Sequence, residues 1–133
     1  MQKEVLVQKF AEAIARQEGF YSPGKRAARN NNPGNLRPYN KEQARDADGF
    51  RTFGKPEWGW DALRMQIWRN IKRELTFLEF FAGKTGIYKG FSPSADGNRP
   101  VEYAKAVVAS IGLEPISAAT EPIHTVISDY FDG

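Results

Sequence analysis

The residues available for chemistry are few in kind. Among 133 residues there is no cysteine and a single histidine, His124. Thiol nucleophiles, disulfides and Cys-ligated metal sites are therefore excluded, and one imidazole cannot build a His-rich metal centre. No metal and no other cofactor is expected. Catalysis must fall to carboxylates, Lys, Arg, Tyr or backbone groups, and sixteen acidic residues make carboxylate acid/base chemistry the most accessible route. His124 lies in the tail and reads as structural or solvated.

Glu18 is the leading candidate. It continues the i, i+4 series Leu6, Phe10, Ile14 at the C-terminal end of an amphipathic segment. Partial burial and the negative end of a helix dipole both disfavour a charged carboxylate at such a position. That is the condition a general acid requires near neutral pH. On periodicity alone, a Glu that turns into water is the commoner outcome. The residues after Glu18 shift the balance: Gly-Phe-Tyr, a loop rich in Asn, Pro and Gly, then a hairpin carrying Asp46 and Asp48. A helix-terminal Glu, a polar loop and a small sheet are the parts of a sugar-cleaving cleft, with Asp46 or Asp48 as second carboxylate where cleavage is hydrolytic. Asn30, Asn31, Asn32 and Asn35 offer amide donors and acceptors suited to N-acetyl and hydroxyl groups, though an Asn run also serves simple turn chemistry. Tyr21, Tyr39 and Tyr103 offer faces for sugar rings.

The elements that must position these residues are mostly helical. A first helix is expected over 4–18, closed by Gly19. Residues 19–35 read as loop. Leu36–Tyr39 and Gly49–Phe53 read as two short strands of a hairpin with Asp46-Ala47-Asp48-Gly49 in its turn. A second helix starts near Pro56, with Trp60, Leu63, Ile67 and Ile71 as its apolar stripe, and breaks near Leu75. Thr76-Phe77-Leu78-Glu79 is a capping-box pattern for a short helix over 77–82. Residues 84–98 are loop. Asn98 is a candidate cap for a helix with Pro100 in its first turn, which Gly112 closes. A last helix is expected between Pro122 and Phe131. The fold class is thus mainly α, one domain over 1–133, with a small β-hairpin after the first helix.

Charge divides the chain. Residues 1–73 carry a net +7 and residues 74–133 a net −4. A basic half attracts polyanions such as nucleic acid, an anionic membrane or the bacterial wall, and an ordinary solvated surface accounts for it as well. Trp58, Trp60 and Trp68 in that half fit the spacing of a helix packed into a core, and no nucleic-acid motif accompanies them, so no nucleic-acid partner is expected. Gly83-Lys84-Thr85 resembles the end of a phosphate loop, but Leu78 stands where the loop needs its first Gly. No apolar run is long enough for a membrane span, and the charged N-terminus is not that of a signal peptide.

One resemblance is specific. Ala13-Ile14-Ala15-Arg16-Gln17-Glu18-Gly19-Phe20, followed by Arg29-Asn30-Asn31-Asn32-Pro33-Gly34-Asn35-Leu36-Arg37, is similar to a phage and prophage family of the lysozyme-like superfamily whose members resemble lytic transglycosylases. The likeness continues through Gly49-Phe50-Arg51-Thr52-Phe53, Gly59-Trp60-Asp61-Ala62-Leu63, Thr76, Ser92-Pro93-Ser94-Ala95-Asp96-Gly97-Asn98, Tyr103 and Val107. The Arg-Asn-Asn-Asn-Pro-Gly-Asn block is its most distinctive part.

The resemblance implies a lysozyme-like fold and cleavage of the β-1,4 bond between N-acetylmuramic acid and N-acetylglucosamine in peptidoglycan. Glu18 falls on the catalytic glutamate. Asn32, Asn35 and Tyr103 fall on motif positions that line the cleft, and Tyr21, Arg37, Tyr39 and Asn98 complete the expected substrate-binding set. Arg26, Arg29, Arg37 and Arg51 are placed to bind peptide or lactyl carboxylates of the wall, or to coat the surface. Either Glu18 acts alone, as in lytic transglycosylation, or Asp46 or Asp48 assists a hydrolysing muramidase. A wall-binding virion or secretion component without catalysis is the remaining alternative. Such an enzyme would act as a monomer on glycan strands, held in the host cytoplasm until released to the wall, or carried in a virion.

Overall fold

The computed structural model describes residues 3–112 together with 122 and 123. The expected tail helix lies outside these beyond its first two residues, as does His124. The fold is mainly helical, with α1 (Lys3–Gln17), α2 (Arg26–Arg29), α3 (Pro56–Lys72), α4 (Phe77–Ala82) and α5 (Pro100–Ile111), and a 3₁₀ turn at Ser94–Asp96. The chain forms two compact units, one of Ala11–Ile67 and one of Met1–Phe10 with Trp68–Gly133. No helix among the described residues is long and apolar enough to cross a membrane.

The unit formed by Ala11–Ile67 rests on the second half of α1 and the first half of α3. Ile14, Leu63 and Ile67 are fully buried, as the helical spacing requires. Between the two helices the chain is almost all loop. Gly59 on α3 is what lets that loop lie close: a Cβ there would stand 2.0 Å from the Asn31 carbonyl oxygen and 2.8 Å from Pro33 Cδ. Trp60 is half-buried with its ring edge-on to Phe20 at 5.3 Å. Trp58, expected in a packed core, is instead 54% exposed, with Lys55 above its ring. It precedes Gly59 on the helix and so falls off the buried stripe of Leu63 and Ile67.

The hairpin is reduced from its expected form. No sheet is present among the described residues; Arg45 and Arg51 make one isolated antiparallel bridge. Residues 50–52 pair with 44–46 through Asp46 N–H to the Phe50 carbonyl (2.8 Å) and Thr52 N–H to the Ala44 carbonyl (3.0 Å), rather than with 36–39 as a ladder. Of the expected first strand, only the Leu36 carbonyl takes part, accepting from Arg51 N–H at 2.9 Å. The reason is local: Asp46 Oδ1 accepts the N–H groups of Asp48 and Phe50, and Gly49 at φ 88° closes the turn tightly enough to select the nearer strand.

The other unit is packed around aromatics. Phe10 stacks on Phe77 at 5.1 Å and meets Phe80 edge-on at 5.0 Å. Thr76 and Glu79 form both bonds of the capping box, so α4 starts where the sequence pattern places it. α5 begins with Pro100 in its first turn, but its cap residue is Arg99 without a side-chain bond; Asn98 instead donates to the Pro93 carbonyl at 3.4 Å. The 3₁₀ turn and the left-handed Gly97 bring Asn98 back towards Pro93, away from the helix end. Ile123 is fully buried and donates its N–H to the Leu75 carbonyl at 2.8 Å.

Candidate functional site

Glu18 is the cap residue at the C-terminus of α1. Its N–H continues the helix to the Ile14 carbonyl (2.9 Å), Gly19 N–H reaches the Arg16 carbonyl (3.3 Å), and Phe20 N–H reaches the Ala15 carbonyl (3.0 Å). With Gly19 at φ 81°, this is a Schellman arrangement. It satisfies the last carbonyls of the helix and turns the chain sharply, so the Glu18 carboxylate is held half-buried at a fixed point. Asn35 donates its Nδ2 to Glu18 Oε1 at 3.1 Å.

The loop that carries Asn35 is held from within. Asn32 has no exposure, and its amide is saturated by backbone: Nδ2 donates to the carbonyls of Leu36 (3.0 Å) and Arg51 (2.9 Å), and Oδ1 accepts from Leu36 N–H (2.9 Å). Asn32 therefore builds the loop and leaves no polar group for a ligand. Asn31 sits at φ 51° and donates to the Phe53 carbonyl at 2.9 Å. Asn35 sits at φ 47°, a left-handed conformation that Asn tolerates better than most residues. Its Oδ1 is buried without a hydrogen-bond partner.

Asp46 is committed to the hairpin turn. Besides the two N–H groups on Oδ1, its Oδ2 accepts from Asn30 Nδ2 at 2.8 Å. The Asn30 bond, then the Phe50 N–H, hold its carboxyl below the usual carboxylate range, with smaller help from Arg26. Asp48 is exposed and pairs with Arg26 at 3.1 Å. Asp46 thus organises the turn, and Asp48 is paired with Arg26 at its surface. Asp46 has few lone pairs left with which to activate water.

Arginines and aromatics interleave around the same loop. Arg26 and Arg37 both lie over the Phe50 ring, at 4.2 and 4.1 Å from its centroid. Arg51 lies over Phe53 at 4.4 Å and Tyr39 at 5.8 Å. Each contact is worth about 0.5–1 kcal/mol where exposed and more where water is excluded. This layer is legible only in part from the sequence: Phe50 and Phe53 read as strand residues, and their use as platforms needs the fold. Tyr39 and Tyr21 are 74% and 54% exposed, as ring-stacking surfaces require. Desolvation and then the Glu12 carboxylate raise the Tyr21 hydroxyl above the ordinary phenol range, so it remains a neutral donor.

Tyr103 and Asn98 belong to the other unit. Tyr103 is half-buried and stacks on Phe81 at 4.4 Å. Asn98 is exposed in the turn before α5. Of the expected site residues, the structure joins Glu18 to Asn35 by a hydrogen bond, and Tyr21, Asn32, Arg37, Tyr39, Asp46 and Asp48 lie in the same unit. Among the described residues, no group of three His, Asp or Glu side chains is placed to hold a metal ion. Set against protein-family models, curated proteins and solved structures, the chain matches none of them.

Proposed function

We propose that this chain is a lysozyme-like, peptidoglycan-cleaving glycosidase that cuts the β-1,4 bond between N-acetylmuramic acid and N-acetylglucosamine, with Glu18 as its acid/base. The observation that carries the reading is the Glu18 carboxylate, half-buried at a tightly capped helix end and held by the Asn35 amide. A single carboxylate fixed in this way suits lytic transglycosylation. Asn35 Nδ2 holds Oε1, and Glu18 enters the reaction carrying a proton. Glu18 gives that proton to the glycosidic oxygen as the C1–O bond breaks. The resulting carboxylate then takes the proton of the muramic 6-hydroxyl as that oxygen bonds to C1, closing an anhydro ring without water. The commitment of Asp46 to the turn and the pairing of Asp48 with Arg26 favour this route over hydrolysis with a second carboxylate.

The same reading takes peptidoglycan glycan strands as the partner and a phage or prophage setting, with action after release to the wall or from a virion. Glu18→Gln tests it. The variant retains the fold, by circular dichroism and thermal melting, and releases no soluble fragments from purified walls. A fully active variant overturns the assignment. A wall-binding protein without catalysis would sediment with walls and release nothing even as wild type.

A further inference from the structure

Arg51 presents an anomaly the proposed acid/base chemistry does not use. A half-buried charge is normally paired, because removing it from water costs several kcal/mol unless an opposite charge or hydrogen bonds offset the loss. Arg51 is half-buried, its Nε is sealed from solvent without an acceptor, and no carboxylate pairs with it among the described residues. Three neighbouring guanidinium groups have acceptors at their termini: Arg26, whose Nε is also sealed, has Asp48, Arg29 has the Gly24 carbonyl, and Arg45 has the Asn40 and Gln43 carbonyls, while Arg37 rests on the Phe50 ring but is exposed to water. Arg51 has only the faces of Phe53 and Tyr39. Stacking of this kind fixes the plane of a guanidinium and leaves its edge as the hydrogen-bonding surface.

The position of Arg51 is also fixed. Its N–H donates to Leu36, its carbonyl accepts from Asn32, and it bridges to Arg45. Asn32 and Asn35 are joined by a backbone bond of 3.0 Å, and Asn35 holds Glu18. One short turn therefore places both the acid and the unpaired cation. The segment from Gly19 to Lys55 carries eight basic and three acidic residues, so the surroundings favour an anion as well.

We propose that Arg51, with Tyr39 and Phe53, is a carboxylate-recognition subsite that takes a carboxylate of the peptide stems branching from the glycan strand. The inference rests on the glycosidase reading and names the part of the substrate that reading leaves open. The terminal nitrogens of Arg51 donate to the two carboxylate oxygens, and the Tyr39 ring covers the bound group on its exposed side. A carboxylate fits this edge better than a neutral sugar hydroxyl does, since charge-assisted bonds to a planar fork are about twice as strong as neutral ones.

The test compares soluble glycan strands that carry their peptides with strands stripped of them. For Arg51→Gln, KM is expected to rise at least about ten-fold on peptide-bearing strands, the loss of a charge-assisted hydrogen-bonded pair, with kcat little changed. KM on stripped strands stays at the wild-type value. Arg51→Lys retains the charge but not the fork and gives an intermediate KM. Lys41→Gln, which removes an exposed charge from the same segment, moves KM by less than two-fold on either substrate. Equal rises on both strands, or no rise on either, overturn the subsite and leave the glycosidase reading standing. Should Arg51→Gln not fold, amidation of the stem carboxylates replaces it: the wild type then shows the same rise in KM, and an unchanged KM overturns the proposal. A wild type that cleaves neither strand overturns the glycosidase reading. The subsite is then judged by the nuclear magnetic resonance of the Arg51 Nε–H during titration with a disaccharide tetrapeptide. A shift that amidation of the peptide abolishes supports the subsite, and no shift overturns it.

Discussion

Asn35 reaches Glu18 across a sequence gap of seventeen residues, with Nδ2 to Oε1 at 3.1 Å, from a backbone held at φ 47°. The amide and the strained turn serve one purpose, since the left-handed turn sets where the amide can point. Asn35→Gly separates the two contributions. Glycine accepts the backbone conformation and removes only the amide. The melting temperature is expected to change little, while kcat for wall cleavage falls by at least about ten-fold, because the acid loses its fixed orientation. Loss of stability in step with activity would assign Asn35 to folding alone.

Gly59 is expected to tolerate no side chain. A Cβ would sit 2.0 Å from the Asn31 carbonyl oxygen, which belongs to backbone and cannot swing away. Gly59→Ala must displace the Asn31–Asn35 loop from α3 at a cost of about 3 kcal/mol or more, set against the small helix-propensity gain of Ala. Urea denaturation reads the loss, and wall cleavage should fall with it because the loop carries Asn35.

Asp46 gives the fold an acid limb. Its carboxyl is held below the ordinary range in the folded protein by Asn30 and the Phe50 N–H. A depressed folded value means that the stabilisation is fully present above the unfolded value, near 3.8. It is lost as pH falls from there through the folded value. Asp46→Asn should flatten the fall in melting temperature below about pH 4. It should also cost stability at neutral pH, where the charged acceptor is lost. A wild-type acid limb that survives the substitution would place the titration elsewhere.

The parts of this structure set by neighbouring residues are legible in the sequence. The stripe Leu6, Phe10, Ile14 builds α1 as its spacing requires, Gly19 ends it, and Thr76 with Glu79 starts α4. The parts set by distant hydrogen bonds are not. Asn32 reads as a residue for a ligand, because its sequence context cannot reveal that Leu36 and Arg51 saturate its amide. The pairing of 50–52 with 44–46 is hidden for a similar reason: Asp46 folds its turn through side-chain to backbone bonds that compete with strand register. Glu18 is legible as a carboxylate on an apolar stripe. Its partner Asn35 is visible only as one of several asparagines in a loop.

A single acid that closes an anhydro ring leaves its record in the products. Purified peptidoglycan digested by the wild type in heavy-oxygen water, with Glu18→Gln as control, is read by mass spectrometry. The expected fragments end in 1,6-anhydro-muramic acid with no heavy oxygen incorporated, and the variant releases none. Reducing ends that carry heavy oxygen would contradict the single-acid mechanism, as would fragment release that persists without Glu18.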